Sequence, residues 1–223
     1  GFLKVKDQPQ WQVIRGGSRS YVEPLTRSYK DNVRLSCPVV SVKRHPDHVE
    51  VEPRHGEVEK FDQVVVAAHS DQALAMLADP SDEEREILTA IPYQENLTIL
   101  HTDSSPLPKR KVAWASWNYH IPREELGRTA LTYYMNMLQS ITSPVDFCVT
   151  LNRPDIIDQT KIIREFLYHH PVYTPEGPKA QKRRPEINGV NRTYFCGAYW
   201  GYGFHEDGVN SALAVCEHFG ISL

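Results

Sequence analysis

The chain lacks the features that place a sequence quickly in several large classes. Its four cysteines, Cys37, Cys148, Cys196 and Cys216, are scattered, with no C-x-x-C pair. Neither a disulfide framework nor a cysteine zinc site is signalled, and free thiols in a reducing cytoplasm are expected. No run approaches the roughly 18 apolar residues of a membrane span, and no signal-peptide pattern is visible. Basic charge is not in excess: 25 Lys and Arg stand against 28 Asp and Glu, for a net charge of −3. Nucleic acid is therefore not an expected partner, and Lys179–Arg184 reads as a solvated helix face. No G-x-S-x-G elbow offers a hydrolase nucleophile. Among the ten histidines, His169 and His170 would point to opposite faces of a strand, and His205-Glu206-Asp207 has no second cluster to complete it, so no metal is expected. Nor does G-x-G-x-x-G follow any strand. Gly201-Tyr202-Gly203 lacks the third glycine, so the usual cradle for a dinucleotide pyrophosphate is missing.

What is present describes a globular protein. Apolar residues make up 40% and charged residues 24%, with four tryptophans for a core. Gly16-Gly17-Ser18 precedes a helix-like stretch to Tyr29, interrupted by Pro24. Strand character follows at Val33–Ser36, Val39–Arg44 and His48–Glu52, then in the nearly continuous apolar run Phe61–Ala68, as in a buried parallel strand. Ser70 and Ser81 are expected to cap helices over Asp71–Leu77 and Asp82–Ala90. After Pro92 the pattern changes to five strands without a long helix: Asn96–Thr102, Val112–Tyr119, Ala130–Leu138, Asp146–Leu151 and Ile162–His169. They imply an antiparallel sheet. Between 130 and 138 polar and apolar residues alternate, one face packed and the other facing solvent or a cavity. A helix over Thr174–Arg184, a strand over Thr193–Cys196 and a helix over Val209–Phe219 close the chain. The fold class is α+β / α/β, in three segments: 1–92, 93–190 and 191–223.

The run from Tyr194 to Ala212 carries the most chemistry. Tyr199, Trp200, Tyr202 and Phe204 lie among Gly197, Gly201, Gly203 and Gly208. Glycines let a backbone approach a flat ligand, and a helix start offers unpaired N–H groups with a partial positive charge. Such a segment suits the electron-rich edge of a cofactor ring, or it is an ordinary strand–turn–helix.

These residues resemble the flavin-containing amine oxidase superfamily, in its branch of NAD/FAD-binding oxidoreductases. Ile14-Arg15-Gly16-Gly17-Ser18 is similar to the family's V-x-G-G, Cys37–Val42 to its P-V-x-x-I, and Phe61–Ala68 to its A-D-x-V-V-x-A strand. Ala113–Tyr119 and Gly197–Gly208 complete the match. The resemblance covers nearly the whole chain but only the later, C-terminal portion of such a protein. It implies FAD-binding segments flanking an antiparallel substrate sheet. The pyrophosphate-binding part would lie before Gly1, and this chain alone is expected to bind FAD poorly or not at all.

Carried over by position, the resemblance gives Val39 the FAD adenine and Gly197 a close approach to the cofactor. Phe204 flanks the ring face, and Gly208, Val209 and Asn210 offer helix-start N–H groups to the pyrimidine edge. Thr98, Trp117, Tyr199, Trp200, Tyr202 and His205 are substrate-pocket candidates. The lysine that many amine oxidases place on the first strand of the substrate sheet is absent, with Thr98 near its position. The implied function is an FAD-dependent oxidoreductase moving a hydride from a small or lipophilic substrate to flavin. Two alternatives stand beside it: a non-redox ligand- or protein-binding module, and an inactive fragment that self-associates as a homodimer.

Overall fold

A computed structural model describes residues 12–121 and 127–222. The first eleven residues of the expected 1–92 segment lie outside the described residues. The chain divides into two units: Arg34–Gln94 with the residues from His169 onward, and the residues up to Val33 with Glu95–Tyr168. Expected breaks stood at 92/93 and 190/191. The second break falls earlier because the stretch after Pro171 packs into the first of these units, where Ala180 and Ile187 join its core.

In that first unit, β1 (Val39–Arg44), β2 (Val49–Pro53) and β3 (Glu59–Phe61) form an antiparallel sheet. β4 (Val64–Val66) pairs in parallel with β10 (Thr193–Phe195), Val65 opposite Tyr194. The apolar run expected as one strand over 61–68 is thus split. Phe61 belongs to β3, and the chain turns at Asp62–Gln63 before β4 begins. Val33–Ser36 is not a strand either: Ser36 has a φ of 55°, a left-handed turn. α2 (Ser70–Met76) starts one residue earlier than expected, with His69 at its N-cap, because the Ser70 hydroxyl donates instead to the Ile91 carbonyl at 2.9 Å. α3 (Asp82–Thr89) has the expected cap: Ser81 Oγ accepts from Glu84 N, and Glu84 returns a carboxylate to Ser81 N at 2.8 Å. α5 (Gly177–Lys182) and α6 (His205–Glu217) complete this unit. Val42, Val49, Val66, Leu77, Ile87, Leu88 and Phe195 are its buried heart. Into this core runs Arg44, forked onto both oxygens of buried Glu84 at 2.9 and 2.8 Å and held by Asp79 at 2.7 Å.

The other unit holds α1 (Arg19–Thr26), short as Pro24 suggested, and a five-stranded sheet apart from the first two residues of its β5 and the last three of its β9. Its strands are β5 (Tyr93–His101), β6 (Trp117–Tyr119), β7 (Leu131–Tyr134), β8 (Cys148–Leu151) and β9 (Ile162–Pro171), in the order β6-β7-β8-β5-β9. β6/β7, β7/β8 and β8/β5 are antiparallel. The strand expected over 112–119 shrinks to three residues, and Val112, 95% exposed, sits in a single helical turn. The strand expected over 130–138 ends at Tyr134. Met135–Leu138 turns into α4, because the Asn136 amide donates to Val145 O and accepts from Phe147 N, both at 2.8 Å. From 131 to 138 it is the polar Thr132 and Asn136 that are buried. All four cysteines are free, and among the described residues no helix is long and apolar enough to cross a membrane.

Candidate functional site

The strand-to-helix run after β10 is tied at nearly every step. Phe195 N donates to Asn188 Oδ1 at 2.8 Å, fixing the last strand residue. Gly197 N donates to Ser211 Oγ at 2.8 Å, and that hydroxyl donates to Gly208 O at 2.7 Å, so the strand exit is bolted to α6. Gln181 Nε2 bridges the carbonyls of Tyr199 and Gly201 at 2.9 and 2.8 Å. The Tyr173 hydroxyl donates to Tyr202 O. The Asp207 carboxylate accepts the N–H groups of Tyr202 and Phe204, both at 3.0 Å, closing the turn onto the helix start.

α6 begins at His205, four residues before the expected Val209. Gly208 N already donates to Phe204 O at 3.2 Å. The first-turn N–H groups therefore belong to His205, Glu206 and Asp207, and Gly208, Val209 and Asn210 lie on the second turn. Glu206 and Asp207 also place negative charge at this N-terminus, where the helix dipole favours it.

The four glycines differ in why they are glycines. A Cβ on Gly197 would stand 2.6 Å from the Tyr199 ring, and one on Gly201 would run into the Asp207 carboxylate. Gly203 has a φ of +87°. The chain's own conformation demands all three. Gly208 is different: inside a helix, its nearest would-be neighbours are Ala198 atoms at 3.9 Å, an ordinary contact. Glycine there costs about 1 kcal/mol of helix stability relative to alanine and gains nothing from packing within the chain.

The expected pocket residues take different settings. Tyr199 is 4% exposed, and its ring lies 4.9 Å from that of Trp200. Burial pushes the Tyr199 phenol well above its ordinary range. Arg184 lies over the Trp200 ring at 5.5 Å and donates to Ser211 O at 2.6 Å, while its Nε is buried without a partner among the described residues. Tyr202 is 75% exposed, and Val39, Val209, Asn210 and His205 are exposed as well. A cavity of about 60 Å³ lined by Tyr173, Gln181, Tyr199 and Tyr202 has room for a few waters and no ring system. In the sheet unit, Thr98 is buried at the centre of β5 opposite Leu151, its hydroxyl 3.3 Å from Asn96 O. Trp117, on the edge strand β6, is 45% exposed and meets Tyr133 edge to face at 5.9 Å.

The sheet unit also contains a polar chain that sequence reasoning missed. Asp103 N donates to His101 Nδ1 at 3.2 Å, leaving Nε2–H to donate to Thr150 Oγ1 at 2.7 Å. Thr150 meets Thr132 at 2.8 Å, and Thr132 meets His120 Nε2 at 2.7 Å. Burial lowers the pKa of both histidines. The available signal was a histidine and two threonines on apolar strands. Which of them meet depends on register, with Ile99 opposite Thr150 and Thr150 opposite Thr132.

Gly208, whose would-be Cβ meets Ala198 atoms at 3.9 Å, lies beside exposed Val209 and Asn210.

No match is found among curated protein sequences. Among solved structures, the chain is similar to a CLA-producing fatty acid isomerase from P. acnes, at 17% identity and a TM-score of 0.66 over 92% of this chain and 52% of that one. It is also similar to cyclohexylamine oxidase from Brevibacterium oxydans IH-35A, at 12% identity and a TM-score of 0.57 over 92% and 53%. Putrescine oxidase bound to putrescine gives 10% identity and a TM-score of 0.61 over 93% and 54%. The chain spans about half the length of these proteins and shares their fold. The profile of the flavin containing amine oxidoreductases matches residues 2–134, more than half of the 223. The chain belongs to that family.

Proposed function

We propose that the chain supplies one wall of the flavin site and the substrate-side sheet of an FAD-dependent oxidoreductase of the amine-oxidase type. A bound flavin would supply hydride acceptance from a substrate C–H bond. The residues given to it are Val39, Gly197, Phe204, Gly208, Val209 and Asn210. The observation that carries the reading is Gly208, a helical glycine that no contact within the chain requires. The chain's own contribution is positional. Ser211, Asn188, Gln181 and Asp207 fix the backbone, so that no reorganisation is needed when a ring system arrives. The first-turn N–H groups of α6 then favour electron density at a ring edge, against the opposing charge of Glu206 and Asp207.

The substrate is proposed to be lipophilic. Thr98 stands where the family resemblance places an amine-activating lysine, and its buried hydroxyl points to a backbone carbonyl. The proteins of this fold named above act on molecules as different as putrescine and a fatty acid, which leaves an apolar substrate within the range of the architecture.

Gly208→Ala separates this reading from simple packing. The methyl group favours the helix by about 0.8–1.0 kcal/mol, so the melting temperature of the flavin-free chain is expected to rise. FAD affinity, read by quenching of flavin fluorescence with FAD in large excess, is expected to fall at least about tenfold, a loss of some 1.4 kcal/mol. A variant that is more stable and binds FAD as well as the parent would overturn the assignment of Gly208.

A further inference from the structure

The β1–β2 hairpin carries a second constellation, remote in sequence from the glycine-rich run and unused by the flavin reading. His45 and His48 flank the turn, and Glu50 lies on β2. One donor atom from each of the three falls within 4.8 Å of the others. His45 Nε2 is 3.1 Å from Glu50 Oε2, and His48 Nε2 is 3.5 Å from Glu50 Oε1. Both Nε2 atoms are buried and lack a full-geometry hydrogen bond among the described residues, while His45 and His48 beside Glu50 hold its pKa below the usual carboxylate range. The two separations run to different oxygens of Glu50 and are close to the ~3.3 Å between ligands of a tetrahedral zinc at ~2.0–2.1 Å.

The surroundings hold His48 and the turn backbone in place. Asp47 Oδ1 lies 2.8 Å from His48 Nδ1. A proton on Nδ1 is thereby fixed toward Asp47, and Nε2 is left with its lone pair, as in the carboxylate–histidine–metal arrangements that tune metal ligands. The two imidazoles stack at 4.4 Å, tilted by 12°, so one ring turns out of the stack for both Nε2 lone pairs to meet one ion. His45 N donates to His48 O at 2.9 Å, closing the turn. Arg192 clamps the turn from outside, donating to Pro46 O at 3.0 and 2.8 Å. Lys60 Nζ, 3.7 Å from Glu50 Oε1, belongs to a mostly exposed side chain that can swing away.

We propose that His45, His48 and Glu50 form a binding site for a first-row divalent cation of the zinc class, with Asp47 as a positioning residue. Two imidazoles and one carboxylate suit zinc, cobalt, nickel or copper and disfavour magnesium and calcium, which prefer all-oxygen shells. Three protein ligands leave a fourth position for water or an external donor. The bound ion would pin the hairpin turn to β2.

The test is titration of the chain with cobalt(II), read by its d–d absorption, followed by competition with zinc(II). The expected result is saturable binding of one ion. His48→Ala and Glu50→Gln, the second of nearly unchanged shape, should abolish the tetrahedral cobalt spectrum. Asp47→Ala should keep the spectrum and weaken affinity about 10–100-fold. Far-UV circular dichroism matching the parent shows that each variant is folded. No saturable binding by the parent overturns the proposal, and so does binding unchanged in both ligand variants, since the ion would then sit on other histidines. The flavin reading stands or falls separately, because none of these residues belongs to the 197–210 segment.

Discussion

Arg44→Met should be among the most destabilising single substitutions in the chain, and the structure sets its size. Arg44 and Glu84 have side chains only 2% and 1% exposed, joined by two parallel N–H···O bonds at 2.9 and 2.8 Å. Arg44 also donates to Asp79 Oδ1 and to Asp79 O, both at 2.7 Å. Methionine fills similar space and leaves Glu84 buried, with the Ser81 N–H at 2.8 Å as its remaining partner. An uncompensated buried charge costs about 3–5 kcal/mol.

The assay is urea unfolding followed by far-UV circular dichroism. With a slope of about 2–3 kcal/mol per molar urea, the midpoint should fall by ~1–2 M. Arg44→Met combined with Glu84→Leu should recover most of the loss, because removing both charges also removes the desolvation penalty that the pair bears. A single variant within about 1 kcal/mol of the parent would refute the reasoning. A double variant no better than the single one would refute it too, showing that Arg44 acts through Asp79 rather than Glu84.

Acid should weaken the chain in two stages. Burial keeps the folded-state pKa of His101 and His120 below 6.5, so the unfolded chain binds protons that the folded one refuses. Stability is therefore full above about pH 6.5 and declines as pH drops below it; urea midpoints that are flat from pH 8 to 5 would contradict this. Asp103 shifts in the same direction for a different reason. Burial opposes its charge, but the N–H groups of Asp158 and Ser105, with Lys161, hold its pKa at about 2. Its contribution of roughly 1–2 kcal/mol, discounted for the exposed lysine, is present above about pH 4 and lost as pH falls through 2. Asp103→Asn should remove this second decline.

Local chemistry made parts of this fold legible. Ser81-x-x-Glu84 announced α3 and its cap, and the apolar Val64–Val66 announced a strand in a parallel pair. Gly197–Gly208 announced a strand–turn–helix. The misplaced features are those that local pattern does not decide. α6 starts four residues early because Asp207 closes the turn from inside the helix, and Gly208, taken as the mark of a helix start, sits in its second turn. Val33–Ser36 has strand composition but turns left-handed at Ser36. Met135–Leu138 has strand alternation, yet the Asn136 amide bonds to the Val145–Phe147 backbone and bends the chain. The His45, His48 and Glu50 cluster needs the hairpin closed, with Lys43 opposite Glu50, before its members meet. The His101–Thr150–Thr132–His120 chain likewise needs the register of three strands.

The central claim is that the 197–210 segment faces flavin. Amide hydrogen exchange of the chain with and without excess FAD, read by peptide mass spectrometry, tests it most directly. The account predicts slower exchange in peptides spanning Gly197 to Ala212, where the first-turn N–H groups of α6 lie, with β7 and β8 unchanged. Protection by FAD in another part of the chain, with exchange across 197–212 unaltered, would contradict it.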